Sequence, residues 1–97
     1  MKLSWDQRKA DSNLRKHGIA FDEAITVFND PLALIFDDVI HSKEEHREII
    51  IGFSTLHRLI LVCFVERSED TIRVISARRA TKAEIRDYEK NIRHKIS

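Results

Sequence analysis

A single α+β domain spanning residues 1–97 is what this sequence predicts, on three observations. Apolar stripes at helical spacing lie near both ends, four short apolar or β-branched runs lie between them, and the links between those runs are short and polar, as antiparallel hairpins require. The first helix is expected from Ser4-Trp5-Asp6-Gln7, a capping-box start. Ala10 and Leu14 make a thin apolar stripe, and Lys16-His17-Gly18 supplies a basic last turn and a glycine stop. Phe21, Ala24, Ile25 and Phe28 fall at helical spacing before Asn29-Asp30-Pro31 ends the pattern, which predicts a short second helix. Strands are expected over 32–36, 47–51, 58–66 and 71–79, the third the most apolar. Thr81-Lys82-Ala83-Glu84 is a second capping box, opening a C-terminal helix with the stripe Ile85, Tyr88, Ile92 and Ile96. The expected architecture is an antiparallel sheet of about four to five strands with two N-terminal helices and one C-terminal helix, the helices laid on one face.

Size and composition narrow the function. With 42% apolar and 34% charged residues, 97 residues can close one modest core but not two. The one cysteine, Cys63, sits inside the apolar run 59–65 without a disulfide partner and reads as a buried thiol suited to a reducing cytoplasm. That run is far short of the roughly 20 residues of a membrane-spanning helix, and Met1 to Asp6 lacks a signal peptide's apolar stretch. No membrane or secretory role is expected.

The net charge of +1 conceals an uneven distribution. Residues 1–18 carry five Lys or Arg against two acids, residues 71–97 eight against three, and residues 19–70 four against eleven. Two basic flanks brought together by the fold would present a positive surface to a polyanion. The plainer alternative is a solvated charged face.

Hairpin geometry sharpens this. If Glu66 and Thr71 flank a turn, antiparallel pairing sets Arg58 beside Arg79, with Arg78 and His57 next to them. Arginines gathered at one hairpin end repel one another unless they share an anion or find acids elsewhere in the fold. Arginine grips phosphate through two parallel hydrogen bonds and keeps its charge, as metal-free phosphodiester cleavage requires. A base must assist the attacking 2′-hydroxyl. His57 is the first candidate, because histidine's ordinary pKa of about 6.5 lies close to working pH.

The residues also carry a family resemblance. Trp5-Asp6, Lys9, Asn13, Lys16-His17-Gly18, Phe21, Ala24, Phe28 and Asp30-Pro31 resemble the N-terminal signature of the BrnT toxin family. Arg47, Gly52, Arg58-Leu59, Glu66-Arg67, the block Ile72 to Ala80, Glu84 and Tyr88 are similar to the rest of that family. The resemblance implies a RelE-like fold, metal-independent endoribonuclease activity that inhibits growth, and a cognate BrnA-like antitoxin that binds operator DNA. It also puts Arg58 and Arg79 where RelE-like toxins commonly hold phosphate-binding arginines. The expected catalytic set is therefore Arg58, Arg79, Arg78 and His57, with Lys9, Lys16, Arg47 and Arg67 as nucleic-acid contacts and no metal or cofactor.

Other candidates have plainer explanations. Lys16-His17-Gly18 is accounted for as a basic helix end with a glycine cap. Glu45, His46 and Arg47 are expected toward the far end of the central strand from Arg58. Asp37, Asp38, His41 and His46 match no helical or hairpin ligand spacing and read as a solvated loop. Trp5 and Tyr88 read as core. Two alternatives to an enzyme remain: a module that binds nucleic acid without cutting it, and a scaffold that only complexes an antitoxin.

Overall fold

The computed structural model describes residues 1–68 and 70–96, with side chains through Arg93. In chain order they form β1 (Lys2–Ser4), α1 (Gln7–His17), α2 (Phe21–Ala24) running into a 310 turn (Ile25–Asn29), β2 (Leu34–Asp37), β3 (Glu48–Phe53), β4 (Leu59–Ser68), β5 (Thr71–Arg79) and α3 (Lys82–Ile96). The sheet order is β1-β5-β4-β3-β2. The four expected strands form an antiparallel meander, and β1 adds a fifth, parallel to β5 through Lys2↔Thr71 to Ser4↔Arg73.

That extra strand displaces the expected start of the first helix. Ser4 is in β1, and Asp6 is the cap, its carboxylate accepting from the Arg8 and Lys9 amides at 2.8 and 3.3 Å. The helix stops as expected: Gly18 has φ +68° and donates its amide to the Leu14 carbonyl. The second capping box also forms, with the Thr81 amide on Glu84 Oε1 at 2.8 Å and the Glu84 amide on Thr81 Oγ1 at 3.2 Å. Of the expected stripe, Ile96 lies outside the described side chains.

The helices take both faces of the sheet, not one. Strand alternation sends Ile50, Ile60, Val62, Phe64, Val74 and Ala77 to a face covered by Phe21, Ala24 and Val27, with Trp5 and Ala10 packed alongside. The opposite face presents Ile51, Leu59 and Leu61 to Tyr88, Ile85 and Ile92 of α3. Tyr88 is a core residue and Trp5 packs half-buried against the core: Trp5 meets Phe21 edge-on at 5.8 Å, and Tyr88 is 2% exposed with its hydroxyl on Asp30. α3 shields only part of its face, and the remainder over β3, β4 and β5 lies open. Gly52 allows the close approach at the sheet's end, since a Cβ there would stand 2.9 Å from Asp30 Oδ2 and 3.0 Å from Val27 and Ala33.

Asn13 holds α1 on the sheet. β1 covers only residues 71–73 of β5, which leaves the β5 edge open at Ala77. There the buried Asn13 side chain accepts from the Ala77 amide at 3.0 Å and donates to the Ala77 and Ile19 carbonyls at 2.9 Å each, doing what a neighbouring strand would do.

The β4–β5 register differs from expectation and loosens the proposed arginine cluster, taking Arg58 out of direct pairing with Arg79. β4 continues through Ser68, which pairs with Thr71, so Arg79 stands opposite Ile60 and not Arg58. Arg58 belongs to the β3–β4 turn, where its carbonyl accepts the Ser54 amide. Arg78 lies on the opposite face from Arg79 by alternation. His57 is exposed in the same turn with φ 60°, its amide on the Ser54 carbonyl.

Candidate nucleic-acid interface

The expected catalytic residues divide between the two faces. On the face of α1 and α2, Arg58 forks onto Glu23, which is only 8% exposed: Nε donates to Oε2 at 2.8 Å and a terminal nitrogen to Oε1. Ser54 Oγ donates to the same carboxylate at 2.7 Å. Arg58 holds the Glu23 carboxyl below its ordinary range, with Arg79 adding a weaker field from nearby. Arg58 and Arg79 thus flank a buried acid. The signal that could have found it is Glu23 itself, a carboxylate on a short helix whose other residues are mostly apolar.

The second face holds a concavity of about 360 Å³ over β3, β4 and β5 where α3 does not reach. Its floor is Ile49, Leu61, Cys63 and Ser76, and its polar wall is His17, Asp38, His41, Arg47 and Arg78. Arg78 is braced by Glu84, with its two terminal nitrogens each 2.8 Å from one carboxylate oxygen. One of them also reaches the Arg79 carbonyl at 3.3 Å, so three of its five N–H donors are taken. The same fork pushes the Glu84 carboxyl down to about 2.

Arg47 enters from the start of β3. Ser42 Oγ accepts the Arg47 amide at 3.0 Å and donates to the Asp38 carbonyl at 2.6 Å, while the Asp38 amide donates to the Arg47 carbonyl. The guanidinium lies 3.6 Å from Glu45, and its Nε is buried with no hydrogen-bond partner among the described residues. Arg67 also pairs with Glu45, at 3.3 Å. Asp38, 8% exposed, receives His41 Nδ1 on its two oxygens at 3.0 and 3.1 Å. Burial, and then the Asp38 charge, push the Cys63 thiol up to about 11, so it stays protonated and unreactive at neutral pH.

A second concavity of about 260 Å³ adjoins the first, sharing His17 and Ser76, and is lined by Lys9, Ser12 and Lys16 of α1. Lys9, Lys16 and Arg47, anticipated as nucleic-acid contacts, thus line two adjoining concavities. Arg58, Arg79 and His57 line neither. Sequence reasoning missed His17 and His41, because each has a complete local explanation as a helix end or loop polar residue, and only the fold brings them to one cavity.

Asp37, His46 and Glu48 bring ligand atoms within 4.8 Å of one another, a meeting that their sequence spacing did not suggest. Asp37 and Glu48 oppose one another across β2 and β3, and alternation puts both on the α1–α2 face, away from the concavity. His46 pairs with Asp37 at 3.1 Å. Burial, with Glu66 and Asp37 adding to it, pushes the Glu48 carboxyl above its ordinary range.

A five-stranded sheet with helices on both faces and a hollow lined by two arginines and two histidines defines a small α+β protein with a polar concavity on one face. The chain belongs to the BrnT family, described as ribonuclease toxins of type II toxin–antitoxin systems, whose family model matches residues 5–84. It is similar to the crystal structure of the Brucella abortus ribonuclease toxin BrnT, at 28% identity and a TM-score of 0.65, over 84% of this chain and 99% of that one. No curated protein matches. No described helix is long and apolar enough to cross a membrane.

Proposed function

We propose that this protein is a metal-independent endoribonuclease that arrests growth in the cytoplasm until a DNA-binding, BrnA-like antitoxin covers it, the pair together occupying operator DNA. The observation that carries the reading is the concavity in which Arg47 and Arg78 converge beside the lysine-lined hollow of α1. Arg78, held by Glu84, and Arg47, beside Glu45, keep donors for the non-bridging oxygens of a phosphodiester, whose charge increases in the transition state. Lys9 and Lys16 then meet the phosphates of the flanking RNA. Arg58 is committed to Glu23, so its charge supports the fold and not the substrate.

The partner reading is supported by the far edge of the sheet. β2 is a free edge strand, and Ile35, Phe36, Val39 and Ile40 on it and just after it are 56, 47, 82 and 80% exposed. Such an edge is costly to leave bare and suits a bound partner. Ile40 also lines the concavity, so a partner seated on this edge closes the site.

Purified protein should cut RNA in excess chelator and leave cyclic or 3′-phosphate ends. Expression alone should stop growth, and co-expression of the antitoxin should restore it. Cleavage that appears only with added divalent cations overturns the metal-independent reading, and intact RNA with normal growth favours an antitoxin-binding scaffold.

A further inference from the structure

Resting on the ribonuclease reading, we propose that His41 and His17 are the general base and general acid of the cut, with Asp38 positioning the base. The two histidines reach the concavity from different elements. His17 is the last residue of α1, which packs on β5, and His41 lies in the loop between β2 and β3. Strand order therefore sets His17 at the β5 end of the hollow and His41 at the β3 end, with Arg78, Cys63 and Arg47 on the strands in between.

His41 has the arrangement of an oriented base. A carboxylate only accepts, so Nδ1, 3.0 Å from the buried Asp38, carries a proton, and in the neutral imidazole the lone pair is then on Nε2. Asp38 is itself anchored through its backbone to Arg47 and Ser42, so the base is tied to the strand that delivers a phosphate-holding arginine. His17 is the last residue of α1 and lines both hollows, which puts its imidazole at the β5 side of the site. The charged and titratable groups around the pair are Asp38, Arg47, Cys63 and Arg78, with Lys9 and Lys16 of the adjoining hollow beside His17. Cys63 is a neutral thiol and neither arginine releases a proton, so proton transfer falls to the histidines.

The step balances without a metal or co-reactant. His41 Nε2 takes the proton of the 2′-hydroxyl as that oxygen bonds to phosphorus. The bond from phosphorus to the 5′-oxygen breaks, and His17 gives its proton to that oxygen. The products are a 2′,3′-cyclic phosphate and a 5′-hydroxyl, and solvent restores both histidines.

The test measures single-turnover cleavage, in excess chelator, of an RNA oligonucleotide and of the same oligonucleotide with sulfur in place of the 5′-oxygen at the cut. Sulfur leaves without a proton, so it bypasses the acid but not the base. His17→Gln should lose about 10²–10⁴-fold on ordinary RNA and recover to near wild type on the sulfur substrate, whereas His41→Gln should lose on both. The wild-type rate should follow a bell in pH. His41→Gln should remove its acidic limb, His17→Gln its alkaline limb, and Asp38→Asn should move the acidic limb to lower pH, which a merely structural Asp38 would not do. His17→Asn and His41→Asn serve as second variants, with melting curves and binding of an uncleavable 2′-deoxy oligonucleotide to establish that each is folded. No cutting by wild type overturns the ribonuclease reading and this proposal with it. Cutting by wild type, with either folded histidine variant near the wild-type rate or with no rescue of His17→Gln by sulfur, overturns the acid–base assignment alone.

Discussion

Arg58 and Glu23, 35 residues apart in sequence, form a forked ion pair at the end of the sheet, with the carboxylate side chain 7% exposed and the guanidinium 29%. This pair joins α2 to the β3–β4 turn, and Ser54 Oγ gives Glu23 a third hydrogen bond. Removing the arginine leaves a nearly buried carboxylate without its counter-charge, the costly way to break such a pair. Arg58→Ala should therefore lower the melting temperature clearly more than Arg79→Ala, and the double variant Glu23→Gln, Arg58→Met should recover part of the loss. Thermal melts of the four proteins check this, and an Arg58→Ala variant as stable as wild type would remove the structural role.

How much of this was legible in the sequence follows from the range of each signal. The Thr81–Glu84 capping box, the Gly18 stop and the 71–79 strand are local, and they form as read. β1 was not legible: three residues with no apolar run become a strand only because β5 offers an unpaired edge. Arginine clustering was a register argument, and extension of β4 through Ser68 displaced it while alternation turned Arg78 to the other face. Arg47, ranked behind Arg58, entered the candidate site because the open part of the sheet is the part α3 leaves bare. That depends on which face each helix takes, which periodicity does not encode.

Asn13 should be a stability determinant with a catalytic consequence. Asn13→Ala strands the Ala77 amide and the Ala77 and Ile19 carbonyls and should cost about 2 to 4 kcal/mol, read by denaturant unfolding. Asn13→Asp keeps the acceptor for the Ala77 amide but presents a carboxylate to two carbonyl oxygens, so it should not rescue. RNA cleavage should fall in both, because α1 carries Lys9, Lys16 and His17 to the site. Wild-type stability in the alanine variant would mean that α1 is held by its apolar contacts alone.

Arg47 and Arg78 should separate catalysis from folding. Arg47→Gln and Arg78→Gln should each reduce the cleavage rate by about 10²–10³-fold, the usual effect of losing a donor aimed at developing charge. Lys9→Gln and Lys16→Gln should mainly weaken RNA binding and flatten its salt dependence. Rates near wild type in either folded arginine variant would point away from the concavity.

Acid should loosen the fold through two carboxylates. Arg58 holds Glu23, and Arg78 holds Glu84, below the ordinary 4.5, Glu84 at about 2. Each carboxyl binds its proton more weakly folded than unfolded, so its contribution is complete above pH 4.5 and declines as pH falls toward 2. Glu84→Gln should be less stable than wild type at pH 7, with the difference shrinking across that window. A difference independent of pH would show that the Arg78–Glu84 fork adds nothing through charge.

The exposed edge of β2 should decide antitoxin affinity without touching stability. Val39 and Ile40 are 82 and 80% exposed, so polar replacement there removes no packing from the monomer. In a complex the same side chains would be buried, and burying an aliphatic side chain contributes about 1.5 to 3 kcal/mol. The double variant Val39→Asp, Ile40→Asp should therefore weaken antitoxin binding by about 100-fold or more while its melting temperature stays at the wild-type value. Salt distinguishes this contact from a charged one: the affinity lost on this edge should be nearly the same at low and high ionic strength, whereas a contact through Lys9 and Lys16 would fade as salt rises. Titration of the purified partner into both proteins at two salt concentrations measures all of this. Unchanged affinity in the double variant would move the antitoxin to another surface.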